Sequence, residues 1–592
     1  MRVMTKFPLM RVIAAAVLLG SASAASQAAP EAPGAADEFR WTPGDPPGGT
    51  EGFARTTAGG LDAVLLAAEA RKAVDISALY PWNEATGPLT LRLVFQLTKP
   101  PRGKTPLLSK WRLIPGGRSF EVGLMPDGRP YFDVSGSGHW DGEGLEIAGA
   151  CRLLPGKPYA AAAVFEPGAR MALFVNGRRY AAADAHVPAR LCPTTTPVLL
   201  GAQPPGDRWA DAAIALVLVD RRVLSAERIA AWAAALGLTD PLPEIEPAVR
   251  DGRMDLTVVR RDTMDYLGRL QVEGAAYGVL RQTALDDAPV TLYASCDAAW
   301  TRACMGEELV KTLTPEQRRQ WIAHINSFAH EDGTYTRDRR HSLEHGNGMV
   351  IGALAVLGGR QEHPVSLYES FDEEHEIAPW LERIRWDRQW SASHLFWGGM
   401  HCYSMSRRCT DAWRTLVFQW LDDNLDPATG WWRKGVPQAG LPIEVLGGAA
   451  HIWPIYQHHS RPFPYPERVI DSILAMQRAD GAWLGFSNYM DLDALYGLAY
   501  MRTCAPNYRA EDIAAAARRH GRLVMARYPA FLPGAPDVHT VLALIGTLAL
   551  LQELAPESFR DTVRWSDIFS DRRFYRTDLV EAAGEAAGDR QR

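Results

Sequence analysis

The sequence predicts a two-part chain, an antiparallel β-sandwich followed by an all-α ring of helical hairpins, and three observations carry that prediction. Up to about residue 240 the apolar residues come in short runs separated by turn residues, whereas beyond it they recur at helical spacing. Between the two regimes, Pro241, Pro243 and Pro247 stiffen the backbone. Within the helical part, one small pattern returns at steps of 50, 50 and 49 residues.

That pattern is a polar residue, then position +3, glycine at +4 and position +7. Its copies are Glu344, Asn347, Gly348 and Ile351; His394, Trp397, Gly398 and His401; Glu444, Gly447, Gly448 and His451; and Asp493, Tyr496, Gly497 and Tyr500. Residues three, four and seven apart share one helical face. Each helix therefore presents a polar group near its start and, one turn later, a glycine that lets a neighbouring backbone come close.

In chain order, residues 1–24 read as a secretory signal peptide, with Arg2, Lys6 and Arg11 ahead of an apolar run and small residues at 22–24 for cleavage. The expectation is an exported protein, periplasmic or extracellular. No other apolar stretch is long enough to span a bilayer. An Ala-, Pro- and Gly-rich leader follows over 25–50, then the sandwich over 51–240, the proline-rich linker over 241–250, the helical ring over 251–560 and a tail over 561–592. Strands are expected at 89–97, 119–124, 131–134, 159–165, 171–175, 198–200 and 214–219. Two turns punctuate them, at Asp127-Gly128 and at Asn176-Gly177, the second suited to a type I′ hairpin.

Composition allows sizeable cores, with 47% hydrophobic residues in 592. A net charge of −6 on so long a chain gives no reason to expect nucleic acid or an anionic membrane as partner. Seven cysteines make no zinc signature. Export would permit Cys151 to pair with Cys192, Cys296 with Cys304 and Cys402 with Cys409, leaving Cys504 odd.

Outer helices are expected over 255–270, 314–328, 365–385, 411–424, 465–477 and 509–528, and inner ones from near Cys296, His341, Ser393, Glu444, Asp491 and Asp537. Six hairpins at a pitch of 44 to 53 residues exceed the usual open helical arrays, and closure into a ring accounts for them better.

Two resemblances sharpen this outline. The run from Leu173 through Asn176-Gly177 to Tyr180, the Leu200-Gly201 strand, and the closing strand that leads into Ser225-Ala226-Glu227 resemble the laminin-G and concanavalin A-like family. That implies a jelly-roll sandwich, a fold used for glycan binding, protein binding or spacing. The six hairpins resemble the (α/α)6 toroid superfamily of glycoside hydrolases, polysaccharide lyases and terpenoid cyclase-like proteins. Gln477, Asp480, Gly481 and Trp483 also look like a repeat of the cyclase branch. Terpenoid cyclisation is disfavoured, because Asp491-Leu492-Asp493-Ala494 lacks the final acid that a class II cyclase needs.

In a ring the inner helix starts gather at one mouth. Collected there are Asp297, His341, Glu344, His345, Asn347, His394, Trp397, Glu444, His451, Asp491, Asp493, Asp537 and His539, with His401 and Tyr403 deeper. Glu344, Glu444, Asp491 and Asp493 are candidates for a hydrolytic carboxylate pair. A lyase acting on a uronate would instead use Asn347, His345, His401, Tyr403 or Tyr496, and His394 and His451 join the candidate acid–base groups. Trp397, Trp431, Trp432 and Trp483 offer flat faces for sugar rings, and Arg433 a cation for acidic ones. His375, His458 and His459 read as solvated or loop positions. No H-E-x-x-H spacing occurs, so neither metal nor cofactor is assigned. The expectation is a carbohydrate-acting enzyme, hydrolase or lyase, against the alternative of a glycan-binding or envelope scaffold without catalysis; the oligomeric state is left open.

Overall fold

The computed structural model of the chain describes residues 38–44, 53–101, 103–139, 144–203, 208–284, 288–336, 341–432, 442–483, 489–532, 537–560 and 563–582. The expected signal peptide and most of the leader lie outside them, as does Arg433.

Among the described residues the N-terminal part is two antiparallel sheets face to face, one of eight strands and one of six. Leu89–Leu97 sits in the middle of the larger sheet, paired with Pro158–Glu166 on one side and Ala212–Asp220 on the other. The smaller sheet runs Val74–Asp75, Leu199–Leu200, Thr105–Trp111, Arg118–Leu124, Pro130–Ser135 and Gly144–Ala148. Leu91, Leu93 and Phe95 meet Phe120, Phe132 and Val134 in the shared core. At the Asn176-Gly177 turn both residues have positive φ, 50° and 76°, as a type I′ hairpin requires.

Thr105–Trp111 was hidden in the sequence by Pro106 and Lys110. The strand is buried throughout, because Lys110 Nζ donates to Asn83 Oδ1 at 2.9 Å and to the Thr196 carbonyl at 3.2 Å. Pro130–Ser135 is likewise buried at every position. One face is the sandwich core; on the other, Tyr131 packs with Met125, Ala148 and Ala530 of the helical part. The linker also lies against the sandwich, with Leu242 N donating to the Tyr180 hydroxyl and Ile245 N to the Ala150 carbonyl, both at 2.8 Å.

In the helical part the inner elements are Leu292–Cys304, Leu343–Leu357, the broken segment from Gln389–Ala392 through Phe396–His401 to Cys402–Ser404, Pro442–Ala450 with Trp453–His458, Tyr489–Cys504, and Val538–Leu554. Each touches the next, and the last returns to the first. The inner elements therefore close a ring. Outside lie Leu256–Leu270, Pro315–Asn326, Asp411–Asp423, Pro466–Met476 and Ala510–Phe531. Side-chain caps fix several starts: Asp255, Thr410, Ser342, Asp537 and Thr314, the last with a full capping box. The helix expected over 365–385 is instead two short turns, Ser366–Phe371 and Glu374–Glu376, followed by Ile377–Arg383. Pro379 is the reason: it tolerates only the first turn of a helix, so the helix begins just before it.

Glycine sets the spacing of the ring. A Cβ on Gly398 would stand 1.6 Å from the Glu344 carbonyl oxygen, and one on Gly348 would stand 2.6 Å from the Trp397 ring. At Gly448 the obstacle is Gln389, at Gly497 Trp453 and Ile473. The stretch bearing Gly398 is a π-helical turn, Phe396–His401, a wider winding that often marks functional segments.

The tail enters the ring. Phe574 stacks on Trp300 with centroids 4.0 Å apart, the Tyr575 hydroxyl accepts from Trp397 Nε1 at 2.9 Å, and Phe569 meets Tyr496 at 4.8 Å. All three tail aromatics are buried. They fill the middle of the ring and separate its two ends.

All seven cysteines are free thiols, so none of the pairings that export would permit is formed. Cys296 and Cys304 lie on one helix, about 12 Å apart along its axis at 1.5 Å per residue, beyond disulfide reach.

The glycine contacts give a direct test. Gly398→Ala should cost roughly 3 kcal/mol or more, since backbone must move. Gly346→Ala, whose Cβ would meet nothing nearer than 3.9 Å, should be neutral or stabilising by up to about 1 kcal/mol. Denaturant unfolding of both variants checks this; similar small effects would show that the ring does not depend on that contact.

Candidate functional site

Five histidines meet at the end of the ring where the inner helices begin. Ser342 caps Leu343–Leu357 and places His341 and His345 one turn apart, so their rings stack at 4.4 Å. The neighbouring inner elements bring His394 to 4.5 Å from His345, and His451 to 4.8 Å from His394. His539, in the first turn of Val538–Leu554, lies 5.4 Å from His341. Four of the six inner elements thus contribute an imidazole.

The other two supply hydroxyls and carboxyls. From Leu292–Cys304, the Tyr293 hydroxyl is 2.8 Å from His345 Nδ1, and Asp297 Oδ1 is 2.9 Å from His539 Nδ1. Asp297 is fully buried. From Tyr489–Cys504, the Tyr489 hydroxyl donates to the His539 carbonyl at 3.1 Å. Asp493 lies one turn further along the face of Tyr489, fully buried, with neither carboxylate oxygen hydrogen-bonded. Burial, reinforced by Asp491, pushes its carboxyl well above the usual carboxylate range.

Burial acts on the imidazoles in the opposite sense. It lowers His345 and His394 well below the ordinary value, with the neighbouring histidines adding to the effect, and brings His451 down to about 4. All three are neutral at pH 7, each with a lone pair. His451 Nδ1 is 2.9 Å from the Ser393 hydroxyl, whose own proton goes to the Trp390 carbonyl, so the ring donates from Nδ1 and keeps Nε2 as acceptor. One ligand atom from each of His345, His394 and His451 lies within 4.8 Å of the others, a set able to hold a metal ion.

The remaining expected residues have other surroundings. Glu344 is half-buried at the mouth, its Cγ beside Gly399. Glu444 accepts from Trp390 N at 3.1 Å, and Asp491 from Trp483 N at 2.7 Å. Asn347 is buried in the wall, donating to the Tyr368 hydroxyl and the Gly398 carbonyl. Trp397 borders the cluster, 5.1 Å from His345. Trp431, Trp432 and Trp483 are buried, and the last two donate their indole protons to the Leu421 and Ile473 carbonyls. Tyr403 donates to Asp372, and His401 Nε2 lies 3.0 Å from His458 Nδ1 on the far side of the tail. His458, expected to be solvated, is buried by this pairing and by Tyr575. His375 is exposed as expected.

Tyr293 and Tyr489 are the partners that sequence reading missed. Thr291 caps the first inner helix; its recognition would have started that helix before Cys296 and put Tyr293 in the first turn. A cavity of about 850 Å³ lies elsewhere, at the opposite end of the ring. It is lined by Arg414, Arg572, Arg573, Arg576 and His459 among others. The buried imidazoles and Asp493 stand at the histidine end.

Comparison with known proteins bears on the sandwich. The laminin G-type family profile described as the concanavalin A-like lectin/glucanases superfamily matches residues 72–230. The N-terminal domain is concanavalin A-like. Solved structures similar to this domain include the CBM40 of the Ruminococcus gnavus IT-sialidase bound to α2,3-sialyllactose, 20% identical over 27% of this chain and 92% of that one, with a TM-score of 0.23. A SAP-like pentraxin from Limulus polyphemus is 14% identical over 27% and 76%, with a TM-score of 0.22. The binding domain of Paraclostridial Mosquitocidal Protein 1 is 8% identical over 31% and 46%, with a TM-score of 0.25. No curated protein matches the chain. Among the described residues no helix is long and apolar enough to cross a membrane.

The buried histidines make stability depend on pH. His458 is held down from 6.5 to about 4 by burial, so between those values the unfolded chain binds the extra proton. Its contribution is complete above about pH 6.5 and disappears as pH falls through 4. Denaturant midpoints should therefore fall between pH 7 and pH 4.5, and less steeply in His458→Asn. Parallel pH profiles for the two proteins would contradict a buried neutral His458.

Proposed function

We propose that the chain is a glycan-acting enzyme whose chemistry occurs at the histidine-lined end of the helical ring, by abstraction of the proton beside a uronate carboxylate and β-elimination of the neighbouring sugar. The observation that carries this reading is the His539–Asp297 pair. A fully buried carboxylate 2.9 Å from Nδ1 orients the ring, as the third member of a nucleophile–base–acid arrangement does. Asp493, its carboxyl pushed well above the usual range by burial, is the candidate donor for the departing glycosidic oxygen.

Glycans are the favoured substrates because the six hairpins resemble the (α/α)6 glycoside hydrolase and polysaccharide lyase superfamily and because the N-terminal domain has a lectin-type fold. In this reading the sandwich grips the polymer and the ring cleaves it, outside the cytoplasm if residues 1–24 direct export. Hydrolysis is the second reading, with Asp493 as the acid and a water as the nucleophile.

Incubation with neutral and uronate polysaccharides, following reducing ends together with absorbance near 235 nm, tests the proposal. Elimination predicts both signals, with Asp297→Asn and Asp493→Asn each lowering turnover by roughly 100-fold or more while binding persists. Reducing ends without absorbance would make the chain a hydrolase. Binding without cleavage would leave the scaffold reading.

A further inference from the structure

We propose that His345, His394 and His451 form a binding site for one divalent transition-metal ion of the zinc class, with an open coordination position at the histidine-lined end of the ring. The site does not depend on the glycan reading.

The donors are already gathered. Their ligand atoms lie within 4.8 Å of one another, whereas bonds of 2.0–2.1 Å in a tetrahedral site place nitrogens about 3.3 Å apart. Drawing the three rings inward by roughly 1 Å closes that difference, which small χ changes supply. They come from three successive inner elements locked by the glycine contacts, and such rigid support is what a metal site needs.

The outer contacts favour the same arrangement. A ligating histidine passes its other ring proton to a nearby oxygen, which fixes its orientation and raises its basicity. The Ser393 hydroxyl takes that proton from His451 Nδ1, because its own is committed to the Trp390 carbonyl. At His345 the Tyr293 hydroxyl oxygen is 2.8 Å from Nδ1 and placed for the same role. Nε2 is then the ligand atom in both rings.

An all-imidazole set also states which ions fit. Magnesium and calcium require oxygen donors, and thiolate-seeking ions find no sulfur among the three donors, while zinc, cobalt and nickel suit three neutral nitrogens. Three protein ligands leave a position for water or substrate, the pattern of catalytic rather than structural zinc. Trp397, 5.1 Å from His345, and Phe569, 6.1 Å from His451, wall the cluster on the side of the tail.

The test uses the full chain and the metal alone. After chelation and dialysis, the protein is titrated with Zn(II) and its metal content is measured after gel filtration; Co(II) then reports the ligands through its visible bands. The expected result is one equivalent, a Co(II) spectrum of nitrogen ligation at low coordination number, and a Tm raised by the ion. His394→Ala and His451→Ala should each weaken binding at least 100-fold, and Ser393→Ala by 10- to 100-fold. His375→Ala, an exposed surface change, should leave it intact. No stoichiometric binding by the wild type, or binding unchanged in both ligand variants, overturns the site. If the alanine variants do not fold, His451→Gln, which keeps a side chain of similar reach, decides on the same readouts. A chain that binds zinc but cleaves no glycan upholds this site and removes the function proposed above.

Discussion

The close approach of Gly398 to the Glu344 carbonyl is the contact on which the rest of the helical part depends. Two inner elements can lie backbone to backbone only where one has no Cβ, and at Gly348, Gly448 and Gly497 the missing Cβ makes room instead for Trp397, Gln389 and Trp453 with Ile473. Closure has a chemical consequence. It forces side chains from six helix starts into one small volume, where they lose water and share each other's fields. Burial there pushes imidazoles down and the Asp493 carboxyl up, because it penalises their charged forms.

The tail adds a second constraint. Phe569, Phe574 and Tyr575 occupy the middle of the ring, stacked on Tyr496 and Trp300 and bonded to Trp397. The ring is therefore two separate ends rather than one channel. One end carries histidines, tyrosines and aspartates. The other carries an arginine-lined cavity of about 850 Å³. Titratable groups with altered acidity and a carboxylate–imidazole pair stand at the first.

Much of this was legible in the sequence because it rests on local spacing. Gly348, Gly398, Gly448 and Gly497 recur at a helical pitch and mark the inner elements, and Asn176-Gly177 marks a hairpin through backbone geometry alone. His345, His394, His451 and Asp493 were visible as polar residues near helix starts. What stayed hidden depends on contacts distant in sequence. Nothing near Tyr293 announces that its hydroxyl meets His345, and nothing near Phe574 announces Trp300 as its partner. His458 looked solvated beside His459 because the residues that bury it, His401 and Tyr575, are far along the chain. Trp432 looked like a sugar platform, yet the Leu421 carbonyl holds its indole inside the wall.

The sandwich leans on the helical part. Tyr131 and Ala148 of its smaller sheet pack against Ala530 on the face away from the sandwich core, so the helical part shields this corner of the sheet from water. The central claim is that the histidine end is where this chain meets its ligand. A crystal structure of the Asp297→Asn variant soaked with a uronate oligosaccharide tests it most directly. The account predicts the sugar at the histidine end, with a ring proton within hydrogen-bond reach of His539 Nε2; a sugar seated only among Arg414, Arg572 and Arg576 at the opposite end would contradict it.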